Sequence, residues 1–270
     1  MAFGLAPAAI ADWHALETEL DERVLAGFGG VSEYGITVRW DKNFLTLLYL
    51  TLSRHQNIRF YGGVRFGGTL TLDDAWDLGI HHVAIAAGAG KPTLVDIENN
   101  LSRGIRKASD FLMALQLTGA FKKDSLANLQ IRLPAVVIGG GLTAIDTATE
   151  LLAYYIVQIE KSLSRWETLT QTAGQPDSAK EAALLRTFDT EEREILLEQL
   201  AHGRELRAER ALAKSQGREP GLTTLLDKWG GVSLVYRKNL IDSPAYRLNH
   251  EEVEKSLEEG VHYIERMAPK

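Results

Sequence analysis

The chain has 270 residues, 45% hydrophobic and 24% charged, with a formal net charge of -6. That length can bury a substantial core in one or two domains, and the negative balance argues against nucleic acid as a partner, because phosphate binding needs clustered cations. Cysteine is absent, which excludes disulfides, thiolate nucleophiles, Cys-ligated zinc and iron–sulfur clusters, leaves redox chemistry to a bound organic cofactor and makes the cytoplasm the default location.

Taken in chain order, Ile10, Trp13, Leu16, Leu20 and Val24 share one face and predict a helix over 10–26. Gly27-Phe-Gly-Gly30 breaks it. These glycines follow a charged helix rather than a β-type run, so they read as a loop against a ligand or domain edge. Phe44–Leu50 opens a second helix that ends near His55. Asn57–Tyr61 and Val64–Phe66 alternate like strands around Gly62-Gly63. Thr71-Leu-Asp-Asp74 resembles a capping box and starts a short helix through Trp76. His82–Ala87 reads as a buried strand that ends in Gly88-Ala-Gly90, and residues 105–119 as an apolar-periodic helix.

Ala135-Val-Val-Ile138 reads as a strand, followed by a glycine turn and a helix through Leu151 to about Leu163. Residues 155–228 form a helical insertion, an α-hairpin or small bundle. It has an N-cap at Asp189-Thr-Glu-Glu192 and loops at 171–177 and 217–221. The next strong strand pattern, Val232–Tyr236, lies far beyond the ~30 residues of a simple βαβ unit. Asn249-His-Glu-Glu252 caps a last helix that ends at Gly260, and Val261–Ile264 reads as one more strand. No window of ~18 consecutive apolar residues predicts a membrane span. Met1–Ile10 is apolar but lacks a basic n-region, so a secretory signal is not expected.

The strand–turn–helix at 135–152 carries the chemistry. Gly139 lets the chain turn off the strand, Gly140 continues the turn, and Gly141 leaves room for a pyrophosphate against the backbone. Leu142 and Thr143 open the helix, and Ala144 is small enough for it to pack close to the strand. The helix N-terminus then offers N–H groups and a partial positive charge to phosphates. The end of the second strand selects the dinucleotide: a carboxylate there suits NAD, cations suit NADP. Here it reads Tyr236-Arg237-Lys238, a ring that could pack on adenine and two cations for a 2′-phosphate, so NADPH is expected over NADH. A bare structural turn and an S-adenosylmethionine-dependent methyltransferase use similar turns, and the Tyr-Arg-Lys end disfavours the second. His81-His82 on a strand would point to opposite faces, which argues against a metal site. Asp73-Asp74 and Glu191-Glu192 read as helix-start acids, so no catalytic acid or base is assigned.

These motifs occur in an order that resembles the flavin-dependent pyridine-nucleotide oxidoreductases of the glutamate synthase small-subunit and adrenodoxin (ferredoxin) reductase type. Gly29–Ile36 is similar to the family's glycine-pair loop, Phe60–Gly67 to its next β segment, and Ala86-Ala-Gly-Ala89 with Lys91-Pro92 to an element near the flavin. Asp110-Phe-Leu112, the glycine turn, Tyr236-Arg237-Lys238, Pro244-Ala245, Glu251-Glu252 and Glu258–Val261 follow in register. The resemblance covers residues 27–152 and 230–268. It implies an α/β fold, with a Rossmann-like NAD(P)-binding unit at 116–154 and 229–270, a partial FAD-type lobe at 1–115 and the helical insertion at 155–228. It also implies hydride transfer from NADPH to FAD, with Gly88 and Ala89 beside the flavin.

Five departures stand out. The family's leading FAD glycine motif and its returning FAD segment have no counterpart here. Leu142 stands where the family has Asn, Thr149 where it often has Arg, and Thr37 where it has Pro. The chain therefore reads as an internal piece of a longer flavoprotein, or a degenerate relative, inactive alone and not retaining FAD, whose partners are the rest of that flavoprotein and a redox partner. The alternative is a non-catalytic scaffold whose helical insertion docks a partner.

Overall fold

The computed structural model of the protein describes residues 51–86 and 94–269. The expected helix over 10–26, the Gly27–Gly30 loop, Thr37, and Gly88 and Ala89 lie outside the described residues. Thr51–Ser53 are helical and the helix stops at Arg54, as the pattern toward His55 implies.

Thr71 caps α1 (Leu72–Asp77) through a full capping box. The Thr71 hydroxyl accepts from the Asp74 N–H at 3.2 Å and the Asp74 carboxylate accepts from the Thr71 N–H at 2.8 Å. The Thr71 hydroxyl also donates to the Asp74 carboxylate at 2.6 Å, and this bond, with that from the Thr71 N–H, holds Asp74 below its usual pKa. The strands expected at 57–61, 64–66 and 82–87 do not form over the described residues, where a lone bridge joins Phe66 to Leu70. Phe60, Tyr61 and Val64 are exposed. Alternation makes a strand possible, but a ladder partner and a surface to bury against make it stable.

Helix α2 (Ala108–Thr118) buries Phe111, Leu112 and Leu115. Gly119, at φ 60, ends it, with the Ala120 N–H returning to the Leu115 carbonyl at 3.2 Å. The chain then enters a mixed α/β unit around a three-stranded parallel sheet. Its strands are β1 (Ala135–Ile138), β4 (Val232–Val235) and β5 (Val261–Ile264), in the order β1-β4-β5. Ile138, Val235 and Ile264 are register partners, so the three strands end together. Val137, Leu234 and Val261 join one core cluster with Leu112, Ile145 and Tyr155. On the other face of β1, Val136 is 62% and Ile138 44% exposed, although the strands of a parallel sheet are usually covered on both faces.

Helix α3 (Leu142–Thr170) runs past the expected end near Leu163, so one 29-residue helix joins the glycine turn to the insertion. A two-residue turn at Ala173 (φ 52) and Gly174 (φ 79) follows, between β2 (Gln171–Thr172) and β3 (Gln175–Pro176). Both positive φ values suit a short hairpin. Next come α4 (Ser178–Leu185), capped by Asp177, and α5 (Thr190–Gln216), opened by a capping box from Asp189 to Glu192. Helices α3 and α5 cross at Gly203, where a Cβ would lie 3.0 Å from the Ile159 carbonyl oxygen and 3.1 Å from the Leu163 Cβ. Around that crossing Arg207 bridges Glu160 and Glu167, each at 2.7 Å.

Helix α6 (Leu222–Lys228) leads back to the sheet. Its end is tied to α5 by Trp229, which stacks on His202 with ring centres 4.4 Å apart and donates to Glu205 at 2.9 Å. The Tyr155 hydroxyl lies 2.7 Å from His202 Nδ1. Burial lowers the His202 pKa and pushes the Tyr155 phenol well up. Burial thus disfavours the charged form of both groups, and one hydrogen bond links them. After β4 come a 3-10 turn (Leu240–Asp242), α7 (Pro244–Leu248) and α8 (His250–Glu258), and then β5.

Candidate functional site

The glycine turn sits where β1 hands over to α3. The Gly139 N–H donates to the Val235 carbonyl at 3.0 Å, which carries the β1–β4 ladder one residue past the strand. A Cβ on Gly139 would lie 3.0 Å from the Ala144 Cβ. Two small residues therefore let the first turn of α3 close against the strand end, the packing that the sequence assigns to this pair. Gly141 is the N-cap of α3 in extended backbone, with no side-chain cap bond and nothing within 4 Å of a Cβ placed there. The start of a long helix thus faces open space, with its first N–H groups and the positive end of its dipole. Thr143 is exposed there, while Leu142 is half-buried against the core.

Gly140 is different. A Cβ on it would lie 2.2 Å from Tyr236 Cε2, so the Tyr236 ring rests on this glycine. The Gly140 carbonyl accepts the Ala245 N–H at 3.0 Å. Behind the ring only about 10 Å³ of space is left, between Ile145, Leu234, Ser243 and Tyr263. Ala245 is a contributor that the sequence reading placed only as a motif match. Its position follows from Ser243-Pro244, an N-cap and N1 pair. The buried Ser243 hydroxyl accepts the Tyr246 N–H at 3.1 Å and starts α7 beside the turn.

The Tyr-Arg-Lys segment leaves β4 next to this turn. The Tyr236 N–H donates to the Ile264 carbonyl at 2.9 Å, and the Tyr236 and Lys238 carbonyls accept from Met267 at 3.1 Å and Arg266 at 3.2 Å. Backbone at 236–238 is therefore held by the chain leaving β5. The side chains of Arg237 and Lys238 are exposed, and neither forms an ion pair among the described residues. The structure thus brings together the turn at 139–144 and the cations at 237–238, which are far apart in sequence. Thr149 is fully buried and donates to the Ile145 carbonyl at 3.0 Å, a packing position rather than part of the turn.

Among the described residues no group of three or more His, Cys, Asp or Glu could hold a metal ion. His81 and His82 are exposed on irregular chain, so the opposite-face reasoning based on a strand does not apply to them. No described helix is long and apolar enough to cross a membrane.

No protein-family model matches the chain. It is similar to an uncharacterized protein of Rickettsia prowazekii (strain Madrid E), 43% identical over 257 residues, which are 95% of this chain and 33% of that protein. The chain thus spans about a third of the length of the curated relative it matches.

Proposed function

We propose that the chain is the NAD(P)H-binding portion of a flavin-dependent oxidoreductase, with a Rossmann-like unit built on β1, α3, β4 and β5. The observation that supports this most is the meeting of three features at one sheet end: an open Gly141, the N-terminus of a 29-residue helix with no side-chain cap bond, and the exposed cations Arg237 and Lys238, which form no ion pair among the described residues. That donor set suits a dinucleotide carrying a 2′-phosphate. When bound, NADPH supplies a hydride for FAD. Gly141 and the Leu142 and Thr143 N–H groups hold the pyrophosphate, and Arg237 and Lys238 hold the 2′-phosphate. The flavin belongs to the longer protein, in keeping with a relative about three times the length of this chain and with the exposed face of β1.

A second reading, a non-catalytic scaffold, is favoured by the Tyr236 ring, which fills the space over Gly140. Gly141→Ala separates the two. The backbone of Gly141 is open to any residue and its Cβ meets nothing, so the melting temperature stays unchanged. The added methyl stands where the pyrophosphate approaches, and NADPH affinity drops about tenfold or more in calorimetric titration. Unchanged affinity in the folded variant rules out the turn as the phosphate site.

A further inference from the structure

A cavity of about 390 Å³ lies between the second half of α3, α4, α5 and the loop at 125–130. It lies in the range of small-molecule sites. Lys161 is 19 residues beyond the first residue of α3, roughly 28 Å along the helix from the glycine turn. Trp166, Leu184, Phe188 and Leu196 give the cavity an apolar wall. Against that wall stand three donors with protons to spare. Lys161 is 7% exposed, and its Nζ donates to the Ala120 carbonyl at 2.8 Å and the Ala127 carbonyl at 3.3 Å. An ammonium carries three protons, and the third meets no acceptor among the described residues. Arg165, one turn further along the same face, donates to the Ser125 carbonyl. Neither cation has an ion pair among the described residues. Tyr154 is fully buried, its oxygen accepts the Leu129 N–H at 3.1 Å, and its own proton finds no acceptor among them.

Burial and then the neighbouring Arg165 push the Lys161 ammonium down to about 8. Asp124 on the loop pulls the other way. Glu192 enters from α5, with its carboxylate engaged at the Asp189 N–H at 3.1 Å. Two adjacent cations and a phenol proton without an acceptor would all gain from one anion, and the apolar wall would gain from a hydrocarbon body.

We propose that this cavity binds a small amphipathic anion, a carboxylate on an apolar body. The carboxylate takes the spare protons of Lys161, Arg165 and Tyr154, and the apolar body lies on Trp166 and Phe188. The site is independent of the nucleotide reading.

The test is calorimetric titration of the full chain with octanoate, 1-octanol and inorganic phosphate. Octanoate binds saturably, octanol binds about tenfold more weakly or less, and phosphate alone does not bind. Lys161→Met keeps the buried stem, lowers octanoate affinity about tenfold and leaves NADPH binding unchanged. In the native chain, octanoate affinity is flat between about pH 6 and 7, where the acid is ionised and Lys161 still charged, and falls through about pH 8 as Lys161 loses its proton; in Lys161→Met this fall is absent. Leu169→Glu, at a lining position that is 62% exposed, repels the carboxylate without disturbing the core and also weakens octanoate. That variant decides the matter if Lys161→Met does not fold. Octanol binding as tightly as octanoate, phosphate binding more tightly than octanoate, or both variants binding octanoate unchanged overturns the proposal.

Discussion

Replacing Arg237 and Lys238 together by alanine lowers affinity for NADPH by ~10²–10³-fold and leaves affinity for NADH unchanged. The two residues follow β4, which pairs with β1 up to Ile138 and Val235, and the end of the second strand is where a dinucleotide site meets the ribose 2′ position. Arg237 can fork onto a phosphate with two parallel bonds and Lys238 adds a point charge. Both side chains are exposed without an ion pair among the described residues, so their loss costs the fold little. The effect shrinks as salt rises, because exposed charges are screened. Fluorescence titration of the reduced nicotinamide reads both affinities directly. Equal loss for NADPH and NADH places the two cations on a group the dinucleotides share, such as the pyrophosphate, and removes the 2′-phosphate assignment.

Gly203→Val destabilises the protein by about 3 kcal/mol. Even a single Cβ meets the Ile159 carbonyl oxygen at 3.0 Å and the Leu163 Cβ at 3.1 Å. Ile159 and Leu163 are both buried, and the Ile159 oxygen belongs to the backbone of α3, so neither contact can swing away. Helices α3 and α5 must move apart, and the Arg207 bridges to Glu160 and Glu167 stretch with them. Gly203→Ala has a smaller effect, because alanine recovers about 1 kcal/mol of helix propensity. Urea unfolding followed by circular dichroism gives both values. A valine variant as stable as the native chain would show that the crossing at Gly203 is not tight.

The strand–turn–helix at 135–152 was legible in the sequence because the pattern changes there from a continuous β-type run to helical spacing across three glycines. The capping boxes at Thr71 and Asp189 were legible for a similar reason: both partners lie within one turn. The strands at 57–61 and 64–66, read from alternation, and at 82–87, read from an apolar run, do not form over the described residues, because neither pattern reveals whether a partner strand exists. The end of α3 was placed too early although no glycine or proline stands near Leu163; the stop comes only at the hairpin through Ala173 and Gly174. The Tyr236 ring on Gly140 and the Ala245 bond to the Gly140 carbonyl join residues about a hundred positions apart in the chain. Local pattern does not record contacts of that kind. The same holds for the cavity around Lys161, which is assembled from three helices and a loop. A lysine within a helix otherwise reads as a solvated residue.

The most direct test of the nucleotide site is competition on the native chain. NADPH is titrated first, and the complex is then challenged with adenosine 2′,5′-bisphosphate or with adenosine 5′-monophosphate. A site built from Gly141, the N-terminus of α3, Arg237 and Lys238 binds NADPH saturably, and the bisphosphate displaces it at concentrations where the monophosphate does not. Absence of saturable NADPH binding, or equal displacement by the two nucleotides, contradicts it.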